Sequence, residues 1–144
     1  MTDRTVLITG CSSGIGECVA HGLAGRGYRV LATARREEDV QRLQAAGLES
    51  FQLDVAEPAS VEAGVEQTLQ RTGGTLYALF NNGAYGQPGA VEDLTRDVLR
   101  EQFETNLFGW HELTNRVLPV MRRQGHGRII QNSSVLGFVA LRYR

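Results

Sequence analysis

Thr5-Val6-Leu7-Ile8-Thr9-Gly10-Cys11-Ser12-Ser13-Gly14-Ile15-Gly16 is a short apolar run that breaks into three closely spaced glycines. Residues 5–9 have the β-branched, continuously apolar character of a strand covered on both faces. A helical stripe of Ile15, Val19 and Leu23 begins where the glycines end. A strand that turns through glycines into a helix brings bare backbone N–H groups and the positive end of a helix dipole to one point. The segment therefore predicts an anion-binding turn, with Gly10, Ser12, Ser13, Gly14, Ile15 and Gly16 as candidates to hold a pyrophosphate. The spacing is Gly-x-x-x-Gly-x-Gly, not Gly-x-Gly-x-x-Gly, and no Gly-Lys-Ser/Thr follows, which removes a P-loop hydrolase. From this segment alone, a glycine-rich turn without a ligand remains the alternative.

Outward from the turn, further β-rich runs occur at residues 28–33, 50–53, 76–80 and 128–131. Helical stripes separate them, carried by Val40 and Leu43 and by Val61, Val65 and Leu69. The longest helix is predicted to start at an N-cap on Thr95 and run to residue 123. Its apolar face would be Phe103, Leu107, Trp110, Val117 and Met121, with Thr114 filling the gap and Pro119 kinking the last turns. Strand–helix alternation predicts an α/β fold, a doubly wound parallel sheet of about five strands in the order 3-2-1-4-5 with right-handed crossovers. Residues 1–144 read as a single dinucleotide-binding domain, and residues 81–89, rich in Gly and Asn, as its functional loop.

The chain has 144 residues and a formal net charge of −1, with acids and bases interspersed, so its charge gives no reason to expect nucleic acid or an anionic membrane. No stretch approaches the ~20 apolar residues of a membrane helix, and the N-terminus lacks a secretory h-region. Cys11 and Cys18 are expected to be reduced packing residues of a cytoplasmic protein. No His/Cys/Asp cluster has metal-ligand spacing, and no metal site is expected. Ser134 lies outside any Gly-x-Ser-x-Gly, and none of His21, His111 and His126 is marked as its base, which counts against a serine hydrolase.

Four segments in order carry a resemblance: Thr9-Gly10-x-x-x-Gly14-Ile15-Gly16, Leu53-Asp54-Val55, Asn81-Asn82-Gly83-Ala84 and Glu104-Thr105-Asn106. Together they resemble the short-chain dehydrogenase/reductase family along the whole chain. Within it the pattern is most like bacterial NADP-dependent aldehyde reductases and the retinol or hydroxysteroid dehydrogenase-like branch. The resemblance implies an oxidoreductase that moves hydride between a nicotinamide and a small-molecule carbonyl or alcohol substrate. It places Asp54 and Val55 by the adenine, and Asn82, Gly83 and Ala84 along the cofactor. The last two exchange the family's Asn-Asn-Ala-Gly order, which leaves close backbone approach intact and puts any bond requiring Gly at the family's position in doubt.

Cofactor choice turns on residues 31–36, Leu-Ala-Thr-Ala-Arg-Arg. Ala34 stands where NAD-binding domains place an acid for the ribose 2′-hydroxyl, and Arg35 and Arg36 can bind a 2′-phosphate. The alternative is that both arginines begin a solvated helix with Glu37 and Glu38 as partners. After a dinucleotide turn, NADP(H) is expected over NAD(H).

The resemblance also gives Ser134 as the residue that orients the substrate oxygen and Asn106 as support for a proton relay. A Ser pair capping a strand end is the bland reading of Ser133-Ser134. The family's general acid/base is a Tyr whose phenol is activated by a nearby Lys ammonium. All fifteen basic residues of this chain are Arg, and the family's Tyr-x-x-x-Lys would fall just beyond Arg144. The expectation is a domain incomplete before its final helices and strands, inactive alone, with Tyr143 a loop residue. A redox-inactive NADP-binding or sensing module is the alternative function. An uncovered face from Phe103 to Met121 would make the chain a homo-oligomer.

Overall fold

Within β1 (Thr5–Ile8), successive side chains leave on opposite sides of the strand. Val6 and Ile8 enter one apolar cluster and Leu7 the other, so a continuous apolar run serves two layers. The computed structural model describes residues 4–143. Along the chain it forms α1 (Gly14–Ala24), β2 (Arg29–Ala34), α2 (Glu37–Ala45), β3 (Glu49–Gln52), α3 (Pro58–Thr72) and β4 (Ala78–Asn81). A long helical region and β5 (Arg128–Gln131) follow. All five strands are parallel, in the expected order β3-β2-β1-β4-β5.

One layer packs Ala20, Val40 and Leu43 onto Val6, Ile8, Val30 and Ala32, placing α1 and α2 on one face. The other packs Val61, Val65, Leu113, Val117 and Met121 onto Leu7, Leu31 and Leu79. Strand ends differ from the sequence reading by one or two residues. Thr9 leaves β1 because its hydroxyl is used at the loop, while Ala34 and Asn81 extend β2 and β4 into buried positions.

The helix after β4 departs more from expectation. Thr95 caps it, its hydroxyl accepting the Val98 N–H at 3.4 Å. Regular α4 (Arg96–Phe103) then gives way to a π-turn at Glu104–Phe108 before α5 (Gly109–Gln124). Periodicity treated 95–123 as one uninterrupted helix, but a π-turn inserts one residue without changing composition. Val117 and Met121 are buried as expected, whereas Phe103 and Leu107 are half exposed and Leu113 takes a core position. Thr114 interrupts the stripe for a reason, accepting a hydrogen bond from buried Asn81 Nδ2 at 3.0 Å. Helical structure continues through Pro119 to Gln124 and stops at Gly125, whose φ is +75°. No helix among the described residues is long and apolar enough to cross a membrane.

Candidate cofactor cleft

Loops leaving the carboxyl ends of β1 and β4 meet backbone to backbone. Gly10 has φ +68°, and a Cβ there would lie 2.5 Å from the Gly83 Cα. At Gly16 a Cβ would strike the Gly10 carbonyl, so α1 closes directly on the turn that precedes it. Both contacts need glycine for space, and Gly10 needs it for torsion as well.

Thr9 and Asn82 tie this junction together. The Thr9 hydroxyl accepts the N–H groups of Asn82 at 3.0 Å and Gly83 at 2.9 Å. Asn82 Nδ2 donates to the carbonyls of Thr9 and Gly10, and its Oδ1 accepts Asn132 Nδ2 at 2.8 Å. Three strand ends, those of β1, β4 and β5, are thereby held in one network. Asn82 thus serves as a brace, with both ends of its amide taken up by protein.

Beside the junction opens a cleft of about 750 Å³. Of the residues expected at a cofactor, Gly10, Ser12, Arg35, Asp54, Val55, Gly83 and Ala84 line it, joined by Tyr85, Glu101 and Glu104. Asp54 is positioned by its own turn, its Oδ1 accepting the Ala56 N–H at 3.0 Å. Ser13, Gly14 and Ile15 are exposed at the start of α1, outside that lining. Ser13 makes no side-chain cap, so the first-turn N–H groups keep their donors for another partner. Arg36 does not line the cleft; its guanidinium is 2.9 Å from Asp39 one turn along α2. The two arginines that looked equivalent are therefore distinguished by Asp39.

Asn106 and Ser134 lie away from the lining. Asn106, in the π-turn, grips the Tyr85 backbone twice: its Oδ1 accepts the N–H at 3.1 Å and its Nδ2 donates to the carbonyl at 2.7 Å. Ser134 Oγ accepts the Leu136 N–H at 3.1 Å and caps the 3-10 turn Val135–Gly137. The capping reading of Ser134 thus describes its acceptor, while its hydroxyl proton remains a donor. Tyr143 sits in a turn at φ +61°, its carbonyl accepting the Gly89 N–H at 3.1 Å. Among the described residues no group of three His, Cys, Asp or Glu could hold a metal.

Residues 4–143 match the family described as short chain dehydrogenase. This chain belongs to that family. It is 40% identical to the uncharacterized oxidoreductase YbbO of Escherichia coli over 137 residues, which is 95% of this chain and 51% of that protein. It is also 40% identical to human retinol dehydrogenase 8 over 144 residues, covering 93% of this chain and 45% of the relative. Among solved structures, a variant of actinorhodin polyketide ketoreductase with NADPH superposes at a TM-score of 0.89 with 32% identity, over 98% of this chain and 57% of that one. The short-chain dehydrogenase chain thus spans about half the length of the curated relatives it matches.

Three contributors in this short-chain dehydrogenase cleft escaped the sequence reading. Arg42 on α2 donates to the Ser12 carbonyl and to Glu17 on α1, clamping the glycine turn from outside. Asn132 braces Asn82, and the Trp110 indole N–H donates to the Gly83 carbonyl at 2.8 Å. Helical spacing marked Trp110 only as apolar, and nothing local ties residue 42 to 12 or 132 to 82.

Proposed function

We propose that this chain is the cofactor-binding portion of an NADP(H)-dependent oxidoreductase acting on a carbonyl or alcohol substrate. The observation that carries the reading is the placement of Arg35 in the cleft while Asp39 holds Arg36 outside it. Buried Ala34, at the end of β2, brings no carboxylate to oppose a 2′-phosphate beside Arg35. The residues present suit a dinucleotide: a Cβ at Gly10 or Gly16 would fill the backbone junction, and the uncapped start of α1 offers N–H donors to a pyrophosphate. The NADPH-containing ketoreductase of similar fold supports the same class of ligand.

A nicotinamide dinucleotide bound there would supply or accept hydride. Ser12, Ser13 and the first turn of α1 would hold its phosphates, Arg35 its 2′-phosphate, and Asp54 with Val55 its adenine end. Gly83 and Ala84 would form the wall beyond. Asn106 acts through Tyr85, shaping the loop on the substrate side, and Ser134 would donate its hydroxyl proton to the substrate oxygen. The apolar exposure of Phe138, Val139 and Leu141 favours a hydrophobic aldehyde, ketone or alcohol. The surroundings of Cys11 and Cys18, which are both free thiols, suit a cytoplasmic protein.

A second reading, a binding module without turnover, rests on the same glycine junction and uncapped start of α1, which can hold a dinucleotide without any acid/base. Titration of the chain with NADPH and NADH tests the binding that both readings share. NADPH is expected to bind more tightly, and Arg35→Ala is expected to weaken it at least tenfold while leaving NADH within about twofold. Tighter binding of NADH, or equal loss of both cofactors, would overturn the NADP(H) assignment. Hydride transfer by the 144-residue chain alone would overturn the binding-module reading.

A further inference from the structure

We propose that Trp110 is a positioning residue of the cofactor cleft: its indole N–H holds the Gly83 carbonyl and thereby aims the Ala84 N–H for a bound dinucleotide. The inference rests on the cofactor-binding reading above and names a residue that reading does not use. Trp110 Nε1 lies 2.8 Å from the Gly83 carbonyl oxygen, and its ring packs against the layer containing Leu113 and Val117. Neighbouring Gly109 fixes where that ring starts. A Cβ at Gly109 would strike the Val55 carbonyl, so α5 rests directly on the segment after β3, and Val55 lines the same cleft.

Gly83 is consequently held at both ends, its N–H by the Thr9 hydroxyl at 2.9 Å and its carbonyl by Trp110. In a trans peptide the following N–H points opposite to the carbonyl. Directing the Gly83 carbonyl at the indole therefore turns the Ala84 N–H away from α5. Ala84 lines the cleft, and among the described residues no acceptor takes its N–H. A free donor of fixed direction in that wall suits an acceptor on the ligand, such as a ribose or phosphate oxygen. The Gly83-Ala84 order matters here. A Cβ at residue 83 would lie 3.2 Å from the Gly10 N and 3.4 Å from its Cα, so the glycine allows the close junction while the indole supplies the orientation.

Trp110 is the only tryptophan in the chain, so biosynthetic analogues change this site alone. Replacement by benzothienylalanine keeps the ring shape and removes the N–H; 7-azatryptophan keeps the N–H. Loss of one neutral hydrogen bond is expected to weaken NADPH binding about five- to tenfold in the benzothienyl form. The azatryptophan form is expected to bind within about twofold of the unsubstituted chain. Exchange of the Gly83 amide proton is expected to accelerate in the benzothienyl form only. Equal NADPH affinity in all three, with unchanged Gly83 exchange, would overturn the proposal. If the unsubstituted chain binds neither NADPH nor NADH, the cofactor reading fails separately. Gly83 exchange then decides for Trp110: acceleration in the benzothienyl form supports the positioning role, and no change overturns it.

Discussion

Cys11 and Cys18 lie seven positions apart, across the glycine turn and the start of α1, yet their chemistry differs. Cys11 is fully buried beside β1, and burial pushes its thiol up to about 12, against the opposing bond involving the Thr33 backbone. A thiol kept protonated is a poor nucleophile, so Cys11 is a packing residue. Cys18 lies on the exposed side of α1. At pH 8 a thiol-specific disulfide reagent is expected to titrate one cysteine rapidly in the folded chain and two after denaturation. Rapid reaction of both in the folded chain would show that the Cys11 site opens readily. The same separation of look-alike residues by local surroundings appears at Arg35 and Arg36, where one carboxylate on α2 decides which guanidinium is left to line the cleft.

Elements are joined at the β3 edge by a small ionic network. Glu49 accepts Arg29 at 2.9 Å from neighbouring β2 and Arg71 at 3.4 Å from α3. The Arg29 hydrogen bond, aided by Arg71, holds the Glu49 carboxyl below its usual range despite partial burial. A folded-state pKa below the unfolded one stabilises the fold above the ordinary carboxylate range, and that contribution disappears as pH falls through the lowered value. Glu49→Gln is therefore expected to cost about 0.5–1 kcal/mol at neutral pH, the scale of a partly exposed pair. In urea melts the difference between the two forms should shrink as pH falls through the lowered carboxylate range. A difference that does not shrink on acidification would mean that Glu49 acts through packing, not charge. On the face that α3 shares with α5, the π-turn between α4 and α5 carries Asn106, which fastens the Tyr85 backbone to the helix.

At the scale of the molecule, the central strands are covered on both faces, but the carboxyl-terminal side presents apolar surface. Leu99, Phe103, Leu107 and Phe108 are exposed along the helical region, as are Ile130, Leu136 and Phe138 beyond it. We propose that the chain self-associates through the helical patch, because contiguous apolar surface finds a partner. Sedimentation velocity is expected to show dimers or larger species that dissociate when Phe103 and Leu107 are both changed to Glu. A monodisperse monomer at tens of micromolar would overturn this. The candidate cofactor cleft lies at the carboxyl ends of the central strands, where β1 separates crossovers to the two faces. That location follows from strand order, since adjacent connections running in opposite directions leave a gap above the sheet.

Local sequence determined the alternation of strands and helices, the parallel sheet order and the glycine turn. Each rests on periodicity or backbone freedom within a few residues, whereas the packing of Gly10 on Gly83 and of Gly16 on Gly10 appears only in the fold. Thr95 was legible as a cap for the same reason. Tertiary structure alone decided what those pieces do together. The link from Trp110 to Gly83, the brace from Asn132 to Asn82 and the clamp from Arg42 to Ser12 join residues far apart in the chain. Neither propensity nor spacing encodes such pairs, because they exist only after the sheet has aligned its strand ends. The choice between Arg35 and Arg36 likewise awaited α2, whose first turn brings Asp39 back to one guanidinium and leaves the other in the cleft wall.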